Sequence, residues 1–231
     1  MNFNKLNIMQ LYVVIVAGGS GKRMGAEVPK QFLELAGRPV LMHTIERFKA
    51  FNEAIEIITV LPENQLLHWL DLQKKYSFTI PQTLVKGGAH RFSSVRNGLK
   101  FVNVPGLVAI HDGVRPFVSI ETIKHCFETA EKTGNAIPTI SPIDSLRIIT
   151  EKGSTPVSRF NVKQIQTPQV FSAELIKKAY LQEYRQEFTD DATVLEAMGE
   201  KINLVEGNRE NIKITNPEDL IISKALLPTV S

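Results

Sequence analysis

The chain has 231 residues, enough for one large α/β domain with a well-buried core or for two small ones. A hydrophobic content of 43% and a charged content of 22% are ordinary for a soluble globular protein, and a formal net charge of +3 argues against a dedicated nucleic-acid binder while leaving cations free to gather at one site. The single cysteine, Cys126 in the helix-like run KHCFETA, excludes an intramolecular disulfide and a cysteine-based metal site and reads as a core residue.

The opening residues, MNFNKLNIMQ, lack the long apolar centre of a signal peptide, and no later apolar run is long enough to cross a bilayer, so the sequence predicts a cytoplasmic protein. An apolar run of strand length, Leu11 to Ala17, then empties into a loop holding Gly18, Gly19, Gly21 and Gly25 together with Lys22, Arg23 and Lys30. Glycines let the backbone approach a ligand closely, and exposed N–H groups with lysines supply the charge a polyphosphate needs. It is not a P-loop, because Gly21-Lys22 is followed by Arg23 and the residue five before Gly21 is Val16. Nor is it a dinucleotide fingerprint, since Pro29 stands where a helix interior would have to be. The pattern predicts a long, open, phosphate-facing loop; the competing reading is an ordinary solvated loop.

Further on, strands and helices alternate. Pro39 suits the first position of a helix over 40–51. A β-branched strand over 54–61, a helix over 65–76 in which His68 and Trp69 pack, and a third strand over 78–85 follow. Strand–helix alternation predicts a mostly parallel sheet with functional groups at the C-terminal ends of its strands. There the third strand meets Gly87-Gly88-Ala89-His90-Arg91, a second glycine-and-arginine loop; Ser93 and Ser94 beside it are N-cap candidates for the next helix. A fourth strand, 107–110, ends in His111-Asp112-Gly113-Val114-Arg115. Magnesium commonly uses one or two protein carboxylates plus substrate phosphates, so Asp112 is placed to hold it; a turn aspartate is the alternative. Arg115 reaches either a phosphate or Asp112.

A helix over 120–132 closed by Gly134 and a fifth strand over 136–140 precede a different region. Residues 141–150 and 156–160 form two strand-like runs around a polar turn at 151–154, a hairpin leaving the sheet that needs a partner surface. After Gln166-Thr167-Pro168-Gln169 come a helix over 173–184 and a second one opened by Asp190 and Asp191, whose carboxylates suit a helix N-terminus better than a metal site. A sixth strand over 201–205 leads to Asn211-Ile212-Lys213-Ile214-Thr215. Asn216 then caps a last helix with Pro217 at its first position. Taken alone, Lys213 is an exposed lysine on an edge strand.

The run A-G-G-S-G-K-R-M-G-x-x-x-P-K-Q, with the later G-G-x-x-R-x-x-S-V, H-D-x-x-R-P, T-P-Q and N-I-K-I-T-x-P-E-D, resembles the signature of the sugar- and polyol-phosphate nucleotidyltransferases, in the cytidylyltransferase branch. The resemblance implies a three-layer Rossmann-like α/β fold with a mainly parallel sheet, a single cytidylyltransferase domain over 1–231, and an extruded β-arm at about 141–161 that joins two copies into a homodimer with shared active sites. It implies CTP and a polyol phosphate as substrates, with Mg2+ or another divalent cation such as Mn2+. CTP would be held by Ala17, Gly18, Gly19, Ser20, Gly21, Gly88, Arg91, Ser94, Asp112 and Gly113, with Asp112 the metal ligand. Lys22, Arg23, Lys30 and Lys213 would neutralise the reacting phosphates. The acceptor would meet Arg115, Thr167 and Lys213, with Ser145 and Arg159 reaching over from the arm. Within the branch, the loop around Ser94 and the I-D-S-L run at 143–146 favour a methylerythritol phosphate over D-ribitol 5-phosphate as acceptor. A reading of another class is a nucleotide-binding regulatory protein without turnover; loss of Lys30, Asp112 or Lys213 would have favoured it, and all three are present.

Overall fold

A computed structural model describes residues 9–18 and 28–227. The strand β1 (Gln10–Val16) is apolar and buried on both faces, as a central parallel strand requires. A short ribbon of β2 (Glu34–Leu35) and β3 (Arg38–Pro39) leads into α1 (Val40–Phe51), whose N-cap, not its first helical residue, is Pro39. Then come β4 (Glu56–Leu61), α2 (Leu66–Lys75), β5 (Thr83–Lys86), α3 (Arg91–Leu99), β6 (Gly106–Asp112), α4 (Ile120–Thr133) and β7 (Asn135–Ile140). The hairpin is β8 (Leu146–Thr150) and β9 (Gly153–Val157), a separate two-stranded sheet. The remainder is β10 (Gln164–Ile165), β11 (Gln169–Ser172), α5 (Ala173–Ala179), α6 (Asp191–Glu196), β12 (Leu204–Glu206) and α7 (Pro217–Leu226).

The main sheet runs β10-β7-β11-β6-β1-β4-β5, with β12 on β7. Parallel ladders join β1 to β4 and β6, and β4 to β5; β11 lies antiparallel between β6 and β7. Alternate residues of β1 serve opposite faces. Val13 and Ile15 pack with Ile45, Phe48, Trp69 and Cys126, while Tyr12 and Val14 pack with Val95, Leu99, Ile176 and Leu195. Helices therefore cover both faces, giving the expected three layers. Burial pushes the Cys126 thiol up to about 12, in keeping with a core residue.

Several boundaries differ from the sequence reading. The third strand begins at Thr83, not Phe78: Pro81 has no N–H to give a ladder, and Phe78 and Ile80 pack on the core from an irregular segment. The second strand starts at Glu56 because the Asn52 side chain holds the Ala54 N–H at 2.8 Å in a turn. The helix expected to reach Tyr184 stops at Ala179, where the buried Tyr180 turns its hydroxyl to Asp191 and the Gln182 amide donates to the Ala179 and Val194 carbonyls. The sixth strand is delayed to Leu204, since the Asn135 side chain bonds the Lys201 carbonyl and the Asn203 N–H before the ladder starts. Strand β11 was not anticipated, and Lys213 lies in an irregular segment, not an edge strand.

Candidate active site

The register of the parallel strands brings the candidate loops to one edge. Val16 stands opposite Asp112 on one side and Val60 on the other. Pairing continues just past the strands: Ala17 N–H donates to the Val60 carbonyl at 2.9 Å, Gly113 N–H to Val16 at 2.9 Å, and Gly87 N–H to Leu61 at 2.8 Å. A cavity of about 250 Å3 opens there. Ala17 and Gly18, Lys30, Gly88, Arg91, Ser94, Asp112 and Lys213 all line it, so residues up to 196 positions apart in sequence share one wall. The predicted Gly19, Ser20, Gly21, Lys22 and Arg23 lie outside the described residues.

Each of these residues has a local cause. Lys30 begins a one-turn 3-10 helix after Pro29, which also carries Gln31 into the cavity wall. Gly88 must be glycine, since a Cβ there would sit 2.3 Å from the Ser93 Cβ. The N-cap of α3 is His90 with no side-chain bond; Ser94 accepts the Gly88 N–H at 3.0 Å and donates to the His90 carbonyl at 3.0 Å, so its hydroxyl shapes the loop and does not cap the helix. Gly113 does not line the cavity. Its missing side chain lets the end of β6 pack on Ala17, whose Cβ would be 2.9 Å from a Cβ at 113.

Asp112 is the electrostatic centre. Its Oδ2 lies 2.9 Å from Lys213 Nζ and 3.4 Å from Arg115 Nε, and its Oδ1 lies 3.6 Å from Arg91 Nε. Burial alone would raise its pKa, but Arg91, Lys213 and Arg115 together outweigh that and hold the carboxyl well below the usual carboxylate range. His111, next to it, is fully buried between the Arg115 carbonyl at 3.0 Å and the Thr167 hydroxyl at 3.1 Å. Burial, reinforced by Arg115 and Arg91, pushes it down to about 4, so it is a neutral structural residue.

Two predicted acceptor residues are engaged inside the protein. Thr167 is 5% exposed and accepts the Asp112 N–H at 3.1 Å while meeting His111, so it sets the end of β6. Arg115 donates to the Asn211 carbonyl at 2.7 Å and faces Asp112, the pairing that its position allowed. Ser145 and Arg159 are exposed on the arm and do not line the cavity; Arg159 donates to the Ile143 carbonyl at 2.6 Å. At the opening of α6, Asp190 caps the helix by accepting the Thr193 N–H at 2.9 Å, as expected. Asp191, in contrast, is fully buried and pairs with Arg91 across 100 positions. A single sequence carries no signal for that pair.

Among the described residues no group of three or more His, Cys, Asp or Glu could enclose a metal. The donor set is one ionised carboxylate at the cavity wall, whose Oδ1 lies 3.6 Å from Arg91 Nε. That fits a cation brought in on substrate phosphates and does not fit an all-protein cage.

Lys30, Arg91 and Lys213, brought from three separate segments to one cavity with Asp112 at the C-terminal edge of a mostly parallel three-layer sheet, are the arrangement of a nucleotidyltransferase. The family model for 2-C-methyl-D-erythritol 4-phosphate cytidylyltransferase matches residues 11–229. The chain belongs to that family. It is 54% identical to the enzyme of that name from Bacteroides fragilis over 93% of this chain and 98% of that one, and 52% identical to the one from Bacteroides thetaiotaomicron over 95% of this chain and all of that one. The crystal structure of 4-diphosphocytidyl-2C-methyl-D-erythritol synthase from Anaerococcus prevotii superposes with a TM-score of 0.80 at 32% identity, covering 95% of this chain and 96% of that one. No helix among the described residues is long and apolar enough to cross a membrane.

Proposed function

We propose that this chain transfers the cytidylyl group of CTP to 2-C-methyl-D-erythritol 4-phosphate, releasing pyrophosphate and forming 4-diphosphocytidyl-2-C-methyl-D-erythritol for isoprenoid precursor synthesis. The observation that carries the reading is the Lys213–Asp112 contact of 2.9 Å in the cavity that Lys30, Arg91 and the Gly88 loop also line. An oxygen of the acceptor phosphate attacks the α-phosphorus of CTP; that P–O bond forms as the bond to the bridging oxygen of the β-phosphate breaks. Two anions have to meet while charge builds on the equatorial oxygens, so positioning and fixed cations do most of the catalysis. Lys30 and Lys213 meet that charge from opposite ends of the sequence, with Lys22 and Arg23 of the glycine loop as further donors. The acceptor phosphate is already ionised near neutral pH, which leaves the neutral His111 without a proton-transfer task.

Asp112 would hold Mg2+, or a similar divalent cation such as Mn2+, which supplies further neutralisation of the phosphate oxygens when bound. The base and ribose of CTP would lie against Gly88 and Ser94. Ser145 and Arg159 would reach the acceptor from the arm of a second copy, making the enzyme a homodimer; exposed Ile148 and Ile149 on the arm, 56% and 79% accessible, support a surface that needs covering.

The test is pyrophosphate release with CTP and Mg2+, comparing 2-C-methyl-D-erythritol 4-phosphate with D-ribitol 5-phosphate. Turnover with the first alone is expected. Turnover only with the second would keep the mechanism and change the acceptor.

A further inference from the structure

Arg91 is bound more tightly than a phosphate-seeking arginine would be. Its Nη1 and Nη2 donate to the two oxygens of Asp191 at 2.9 and 2.6 Å, and Asp191 is fully buried. The Tyr180 hydroxyl donates to Asp191 Oδ1 at 2.5 Å. The residues on either side of Asp191 are held to the sheet: Gln169 on β11 accepts the Ala192 N–H at 2.8 Å and donates to Asp190 Oδ2 at 2.8 Å, and Gln169 stands opposite Ile110 on β6, the strand that ends in Asp112. With both ends of its fork engaged, Arg91 presents only Nε to Asp112, at 3.6 Å, too long for a hydrogen bond.

We propose that Asp191 is a positioning residue of the nucleotide site, holding the Arg91 guanidinium beside Asp112 while preventing it from closing onto that carboxylate. This rests on the reading of Asp112 as the carboxylate that meets the metal-bound triphosphate. Arg91 has two ion-pair partners among the described residues, Asp191 and Asp112. Once Asp191 loses its charge, the planar fork turns to Asp112, because an arginine seeks a bidentate carboxylate. Asp112 is then covered by Arg91 as well as by Lys213, and the cation has to compete for it. A brace that merely stabilised α6 would lower the melting temperature without touching this competition.

The experiment uses the full chain and titration calorimetry of CTP at a series of Mg2+ concentrations, with circular dichroism as the folding control. Wild type, Asp191→Asn, Tyr180→Phe, Arg91→Gln and the double variant Arg91→Gln/Asp191→Asn are compared. Asp191→Asn is expected to raise the Mg2+ concentration for half-maximal CTP binding about 10- to 100-fold, the usual effect of losing an outer-shell partner of a metal ligand. Tyr180→Phe keeps the charge and should shift it less, in the same direction. In the Arg91→Gln background, Asp191→Asn should add nothing, because its effect passes through Arg91. An unchanged Mg2+ midpoint in folded Asp191→Asn overturns the proposal, and so does an undiminished effect of Asp191→Asn without Arg91. If Asp191→Asn does not fold, an unchanged midpoint in Tyr180→Phe overturns it. Wild-type protein that binds no CTP would sink the functional reading and this proposal together, whereas wild-type binding with unaltered variants would sink this proposal alone.

Discussion

The cavity floor and the hairpin arm are both built from β-strands, yet they are stabilised in opposite ways. At the floor, β1 and β6 are buried nearly end to end, and the side chains that matter are fixed by neighbours: Asp112 by three cations, His111 by Thr167 and Arg115, Arg91 by Asp191. In the arm every residue of β8 and β9 except the half-buried Leu146 and Val157 is exposed, and the side-chain bonds of β8, such as Arg147 to Ser154 at 2.7 Å, stay within the hairpin. A two-stranded ribbon is marginal by itself in water. The same local structure is thus covered by other layers of the chain at the floor and left open to solvent in the arm.

Four experiments would break or sharpen that contrast. Lys30→Ala and Lys213→Ala, at the floor, should each lower kcat by on the order of a hundredfold or more in steady-state pyrophosphate release, the effect expected of the proposed role in meeting charge that develops in the transition state. A change in KM alone would recast that lysine as a uniform binding group, and an unaltered rate would remove it from the mechanism.

The buried His111 should make the floor acid-sensitive. Its folded pKa is about 4 against the ordinary 6.5, so the unfolded chain binds more protons between those values and stability falls as pH drops from about 6.5 to about 4. The loss attributable to this group is on the order of a few kcal/mol. Asp112 contributes in the other window: its depressed pKa gives stability that is present above about 4 and is lost only below that. Urea unfolding across the range should therefore be flatter for His111→Gln than for wild type, and parallel curves would contradict the assignment.

Gly98, in α3 beneath the floor, has no room for a methyl group: a Cβ would lie 2.6 Å from Val14 Cγ1 and 3.1 Å from Val60 Cγ2. Gly98→Ala should cost about 1–3 kcal/mol in the same assay, since both neighbours are packed in the core and overpacking forces them aside. No change, or added stability, would show that β1 and α3 can separate freely. In the arm, Ile149→Asp should leave the circular dichroism and the CTP affinity unaltered while reducing the mass in light scattering from that of a pair to that of one chain. A mass that is the same for both proteins would contradict the proposed pairing through the arm.

Much of this was legible in one sequence. The apolar run ending at Ala17, the Gly87-Gly88 loop and the Asp112 that ends β6 announced strand ends that meet at one cavity, because buried runs, glycines and charges are local signals. Asn216-Pro217 announced α7 for the same reason, and there the Asp219 carboxylate accepts the Asn216 N–H at 2.9 Å. The hairpin was legible from two short runs around a polar turn.

Tertiary structure decided the rest. That β11 slips antiparallel between β6 and β7 depends on which edges are free once the parallel strands have paired, which periodicity does not encode. That Thr167 and Arg115 turn inward, and that Asp191 reaches Arg91 across 100 positions, follows from where whole elements land. The sequence by itself determined which residue types would stand at the ends of the strands. Only the packing of three layers determined which of them face the cavity and which hold the others in place, because a side chain's partners are chosen by distance in space, and a single chain read in order records only distance along itself.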